Sequence, residues 1–204
     1  MSDVVVLQRR KPLVLADLVP GTLVRDALMV IGGACFVGLL AQVSFHLSFT
    51  PVPITGQTFG VLLCGAALGS RRGAAAMALY AVAGVVGVPW FADHAHGYAG
   101  ASFGYIIGFV LCAGLCGYLA QRGSDRSILK SVPAMLAGEI VIYLCGVAWL
   151  AVSLHVDAAR AISLGFVPFV AGDAIKAALV AVLLPGAWKL AGTARGAAGS
   201  SRRR

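Results

Sequence analysis

The chain has 204 residues, of which 59% are hydrophobic and 12% charged, where soluble domains carry about 25% charged residues. That composition excludes a water-soluble domain and describes a membrane protein with room for several short-looped spans and no appended soluble domain. The net charge of +8 does not make it a nucleic-acid binder, because the basic residues fall in short clusters between apolar runs, which is an orientation signal.

Residues 1–24 read as a cytoplasmic leader. Arg9, Arg10 and Lys11 open it, and Pro12, Asp17, Pro20 and Arg25 interrupt any apolar run of signal-peptide length. Residues 13–19 suit a short interfacial segment. Apolar runs follow at about 26–46, 58–69, 72–88, 103–121, 132–153 and 168–191. A bilayer core about 30 Å thick takes about 20 helical residues. The second run is shorter, and crosses only if its neighbours extend it or protein buries its outer end. Counting it as a span makes the loop charges alternate. With the N-terminus inside, 14 of the 16 basic residues lie on inner segments, Lys176 lies within the last span and Arg160 alone is outside. The expected fold is an all-α membrane protein of six transmembrane helices over 25–191 with both termini cytoplasmic. A basic Gly/Ala/Ser-rich tail, 192–204, is expected to be disordered and cytoplasmic.

Cys35, Cys64, Cys112, Cys116 and Cys145 all lie in apolar runs without a C-x-x-C pair. They read as packing residues and imply neither a disulfide framework nor a zinc site. Ala34-x-x-x-Gly38 on the first helix, and Gly104, Gly108 and Gly114 on the fourth, permit close backbone approach. Two readings compete: packing within the bundle, or a docking surface for a partner membrane protein.

The outer connections hold the unusual chemistry. In the first, Pro51 and Pro53 fix an extended path into Thr55, Gln57 and Thr58. The second sets Trp90, Phe91, Tyr98 and Tyr105 among glycines, with Asp93, His94, His96 and Ser102 between them. Its aromatics suit an interfacial belt or a lid over a flat ligand, and its two His are thin evidence for a metal. The third, about 154–167, leads through Pro168 into the last span, where Asp173 and Lys176 lie three residues apart on one helix face. Charges at bilayer depth persist where they pair, face a cavity or handle a ligand. The pair therefore cancels itself or grips something polar. Glu139, with Tyr143 one turn outward, is either a structural carboxyl or a group coupled to ions or protons.

No G-x-x-x-x-G-K-[ST] loop, H-E-x-x-H motif or ordered nucleophile triad occurs. The chain therefore reads as a solute-binding membrane protein and not as an enzyme. Six helices without an internal repeat are thin for alternating access, so moving a solute calls for partners or self-association.

Five stretches carry a resemblance over about 25–190. They are Thr50-Pro-Val-Pro-Ile-Thr-Gly-Gln-Thr58; Tyr80 with Gly84, Gly87 and Val88-Pro-Trp-Phe-Ala92; Gly104-Tyr-Ile-Ile-Gly-Phe109; Ile142-Tyr143 with Gly146; and Pro168-Phe169 before Gly172-Asp173-x-x-Lys176. Together they resemble the BioY family, the biotin-specific substrate-binding (S) components of energy-coupling factor (ECF) transporters. The family's Gly-Pro-Thr-Gly-Gly-Tyr run reads Gly100-Ala-Ser102-Phe-Gly104-Tyr105 here, which keeps a hydroxyl and lacks the proline.

The resemblance implies a biotin binder with an outward pocket capped by loops. It also implies partners, namely a transmembrane coupling protein and two ATPase subunits. ATP is then used by those partners, and this chain carries no cofactor and no metal. Asp173 would accept from biotin's ureido N–H groups, and Lys176 would donate to a ureido or carboxylate oxygen. Thr55, Gln57 and Ser102 would add polar contacts, with Trp90, Phe91, Tyr105 and Tyr143 as walls. Ala34 and Gly38 would dock the coupling protein. A solitary biotin transporter, or an S component for another small vitamin or a metal ion, is the alternative. The implied location is a prokaryotic plasma membrane.

Overall fold

Each of the six apolar runs folds as an α-helix: α1 (Leu23–Ala41), α2 (Gln57–Leu68), α3 (Ser70–Val85), α4 (Phe103–Gln121), α5 (Ile128–Leu154) and, last in the chain, α7 (Val170–Ser201). A further short helix, α6 (Ala158–Gly165), occupies the third connection. The computed structural model describes residues 14–19, 21 and 23–201, with side chains as far as Thr193. The leader's Arg9, Arg10, Lys11, Pro12 and Pro20, and the terminal Arg202–Arg204, lie outside the described residues. The backbone of α7 continues to Ser201, across residues whose composition suggests disorder.

Length and hydropathy make α1, α4, α5 and residues 170–193 of α7 long enough to cross a membrane. With 12 and 16 residues, α2 and α3 fall short of that length. A single residue, Gly69 at φ +87°, joins them. A side chain there would be strained by the backbone and crowded by Gln121 and Val14. Close approach continues through this layer. A Cβ on Gly65 of α2 would stand 2.8 Å from the Ala113 backbone of α4, and one on Gly108 of α4 would stand 2.8 Å from Ile142 Cα of α5. The fourth-helix glycines thus serve packing within the bundle, with α4 in contact with α2, α3 and α5.

Tyr80, Leu62, Met77, Met135, Ile142, Leu150 and Leu184 are fully buried. Leu23, Leu28, Leu39, Leu111, Leu144 and Leu190 face outward. An apolar interior inside an apolar exterior is what a lipid solvent requires. The molecule is thus a multi-pass helical membrane protein.

At the opposite end of the bundle from the outer connections, polar pairs fasten the elements. Asp17, in a 3-10 turn at Leu15–Leu18, pairs with Arg72 of α3, which also reaches Asp26 of α1 at 3.4 Å. Asp125, just before α5, accepts from Trp188 of α7 at 2.5 Å. The Arg126 guanidinium stacks 3.4 Å from the Trp188 ring centroid.

The docking assignment for Ala34 and Gly38 is corrected. Ala34 is 0% exposed, and a Cβ on Gly38 would come within 3.3 Å of the Trp90 ring. Small residues at i,i+4 announce a close approach without saying to what; here it is to the protein's own Trp90. Gly38→Leu is therefore expected to lower the melting temperature of the detergent-purified protein and to weaken ligand binding with it. Lost uptake with unchanged binding and melting would restore the docking role.

Candidate functional site

Three connections interlock at one end of the bundle. The first is a small hairpin, β1 (Ser44–Phe45) antiparallel to β2 (Ile54–Thr55), with Ser44 opposite Thr55. Thr50 Oγ1 donates to Leu164 O of α6 at 2.7 Å, tying the first connection to the third. Gln42 Nε2, just past α1, donates to the Trp90 and Phe91 carbonyls at 3.1 and 3.2 Å, tying the second to the bundle. Asp93 accepts from Ser44 Oγ at 2.7 Å and pairs with His46 at 2.8 Å. Trp149 of α5 donates to Gly100 O at 3.1 Å. Few loop atoms are left to move independently.

Beneath them lies an open-mouthed cavity walled by aromatic and aliphatic side chains with a few polar groups, the make-up of small-molecule sites. Eight of the nine expected side chains line it: Thr55, Gln57, Phe91, Ser102, Tyr105, Tyr143, Asp173 and Lys176. Trp90 does not. It lies on the far side of an extended segment from Phe91, its indole donating to Tyr80 O at 2.9 Å. Trp90 supports the wall from behind.

Asp173 sits in the first turn of α7, where the free N–H groups of a helix start favour a carboxylate. It is 5% exposed. Its Oδ1 accepts from Lys176 Nζ at 2.7 Å and from Thr58 Oγ1 at 2.9 Å. Its Oδ2 accepts from the Tyr143 hydroxyl at 2.5 Å. Lys176 Nζ donates further to Thr55 O at 2.6 Å and Thr58 Oγ1 at 3.1 Å, so all three of its donors are engaged. Oδ1 is filled, and Oδ2 can accept once more, so the pair is neutral in itself and still open to a donor from the cavity.

The polar floor is supported from α2. Thr55 Oγ1 accepts from Gln57 N at 3.2 Å, a local turn just ahead of α2, and donates to Gln57 Oε1 at 3.0 Å. Gln57 Nε2 donates to the Tyr80 hydroxyl at 2.8 Å, and that hydroxyl donates to Trp90 O at 3.2 Å. Tyr105 donates to Gly165 O at 2.6 Å, which fixes its ring against the cavity.

Several lining residues were not singled out as site residues. Thr58 bridges the acid and the base; its signal was a hydroxyl three residues past Thr55 on the helix that faces them. Phe109 and Phe169 also line the cavity, each four residues from an expected one, Tyr105 and Asp173. His96 is on the wall, yet among the described residues no three His, Cys, Asp or Glu side chains gather into a ligand set. Glu139 lies outside the lining and is 4% exposed, with neither carboxyl oxygen hydrogen-bonded.

Fold and site together define a helical membrane protein built around a small-solute pocket with an ion pair at its floor. The chain matches the model of the BioY family over residues 9–193, and it belongs to that family. It is 33% identical over 157 residues to the biotin transporter BioY of Rhizobium etli, covering 72% of this chain and 82% of that one. To the biotin transporter BioY of Thermotoga maritima it is 41% identical over 140 residues, covering 66% and 81%. The solved S-component for biotin from an ECF-type ABC transporter shares the fold, with a TM-score of 0.75, 24% identity, and coverage of 83% of this chain and 95% of that one.

Proposed function

We propose that this chain is the biotin-binding membrane subunit of a biotin uptake system and not an enzyme. The observation that carries the reading is the Asp173–Lys176 pair at the floor of an aromatic-walled cavity, with one carboxylate acceptor site to spare on Asp173 Oδ2. Family membership and the biotin transporters among its relatives support it. Biotin's ureido ring offers two N–H donors beside one carbonyl acceptor, which matches an acid and a base 2.7 Å apart. Asp173 accepts ureido N–H, and Lys176 turns one donor from Asp173 to a ligand oxygen. Phe91, Tyr105 and Tyr143 enclose the apolar rings, with Thr55, Gln57 and Ser102 at the polar edge.

The chain crosses a prokaryotic plasma membrane six times, the short α2 and α3 included, with both termini cytoplasmic. The loop cluster then faces outward, and the alternation of basic loops supports that orientation. Residues 1–24 are a cytoplasmic leader, 25–191 the membrane domain and 192–204 a basic tail. A transmembrane coupling protein and two ATPase subunits supply the energy; ATP is bound by them. The chain itself uses no cofactor or metal.

Isothermal titration of the purified protein with biotin tests the reading, alongside a panel of other vitamins and divalent cations. Saturable binding of biotin alone is expected. Absence of biotin binding, or preference for a cation with dependence on His94 and His96, would overturn it.

A further inference from the structure

Among the described residues, Glu139 is the one buried acid within a membrane-spanning helix that the binding site does not use. Its side chain projects from α5 into the bundle, 4% exposed, with both oxygens unpartnered. The register of α5 against α7 places it. Tyr143 meets Asp173 near one end and Asp125, just ahead of α5, meets Trp188 near the other. As numbers fall on one side they rise on the other, so the helices run antiparallel. Between these two cross-links, Glu139 is one turn deeper than Tyr143 and Lys176 just under one turn deeper than Asp173. The Cα atoms of the two residues therefore lie at the same depth on packed helices, with the Lys176 ammonium turned outward to Asp173 and Thr55.

The groups that face Glu139 electrostatically are Asp173 and Lys176 from α7, Cys112 and Cys116 from α4, and Tyr143 from α5. Leu62 of α2 packs beside it, next to Gly138. Lys176 is the only cation in that set, and its three donors are committed elsewhere. An ionised carboxylate here would have no compensation other than that ammonium.

We propose that Glu139 is a positioning residue for the ligand, a second carboxyl that competes with Asp173 and the ligand for Lys176. Neutral, it leaves the ammonium at the cavity floor, where it serves the ligand's oxygen. Ionised, it draws the ammonium deeper and takes that donor away. The proton moves between Glu139 and solvent through the cavity, and no other group changes charge. Binding then favours the protonated form, so ligand capture takes up a proton and affinity falls as pH rises. This rests on biotin being the ligand.

The test is biotin titration calorimetry on the full chain from about pH 6 to about pH 9.5, a range in which a carboxylic acid in water stays ionised. Wild type should lose affinity by up to about tenfold per pH unit over part of that range. It should also take up about one proton per biotin, read by comparing buffers of different ionisation enthalpy. Glu139→Gln should bind biotin tightly with a flatter profile and take up about one proton fewer. His96, on the cavity wall, is common to both proteins, so the difference between the two curves isolates Glu139. A wild-type affinity independent of pH overturns the proposal even if the variant does not fold. So does an equal loss in both proteins, or proton release on binding. Failure of wild type to bind biotin at any pH would instead overturn the functional reading on which the proposal stands.

Discussion

Asp173→Asn is expected to weaken biotin binding by about a hundredfold or more and to lower the melting temperature of the unliganded protein. The carboxylate takes three hydrogen bonds, from Lys176, Thr58 and Tyr143, and an amide offers one oxygen where two were used. Its NH2 group would point a donor at another donor. The larger effect is on Lys176, whose ammonium loses its hydrogen-bonded counter-ion; breaking a buried pair from one side costs about 3–5 kcal/mol. Every 1.4 kcal/mol is about a tenfold change in an equilibrium, so stability and affinity should both respond.

Removing both charges separates the two effects. Asp173→Asn with Lys176→Met leaves no orphaned charge and should recover much of the melting temperature. It should not recover binding, because neither the acceptor for a ureido N–H nor the donor for a ligand oxygen is restored. Wild-type affinity in the single Asn variant would remove Asp173 from the binding site. Recovery of both stability and binding in the double variant would show that the pair is only a structural device.

The sequence made this pair legible because charges are rare in apolar helices and a three-residue spacing places both heads together. It also marked the three connections, whose prolines, aromatics and glycines restrict the backbone too much for ordinary turns. What it could not reveal was which neighbour each side chain meets. Trp90 and Phe91 are adjacent aromatics of equal promise, but successive residues of an extended segment point to opposite sides, so Phe91 lines the cavity and Trp90 packs over Gly38. The small-residue spacing at Ala34 and Gly38 was read as a surface for the same reason: a pattern on one helix says nothing of what fills its groove. Thr58 went unassigned because its importance depends on α7 meeting α2, a contact between residues more than a hundred positions apart. The short α6 lies inside the third connection, where Asp157 caps it, accepting from Arg160 N at 2.7 Å; its eight residues are shorter than the window over which a helical period is read.

Gly146→Val should be the most damaging substitution away from the charged pair. Gly146 lies on α5, and a Cβ there would come within 2.5 Å of the Tyr105 ring. The ring cannot retreat, because Gly165 closes the other side, where a Cβ would meet the Tyr105 hydroxyl and, at 2.8 Å, Leu150. Tyr105 thus fills a slot between two glycines, anchored by its hydrogen bond to Gly165 O. The open direction is the cavity, which Tyr105 shares with Tyr143 and Asp173. Valine should push the ring into the ligand's space, at a cost of about 1–3 kcal/mol in stability, and lower affinity by about tenfold to a hundredfold by the same energy scale. Adding Tyr105→Ala should relieve the clash and raise the melting temperature, while binding stays weak because one wall is gone. Gly32→Ala is the control, since an added Cβ there has no atom within 4 Å, and it should leave affinity unchanged. Wild-type affinity and melting in Gly146→Val would show that α5 can move away from Tyr105, and that the slot does not set the shape of the site.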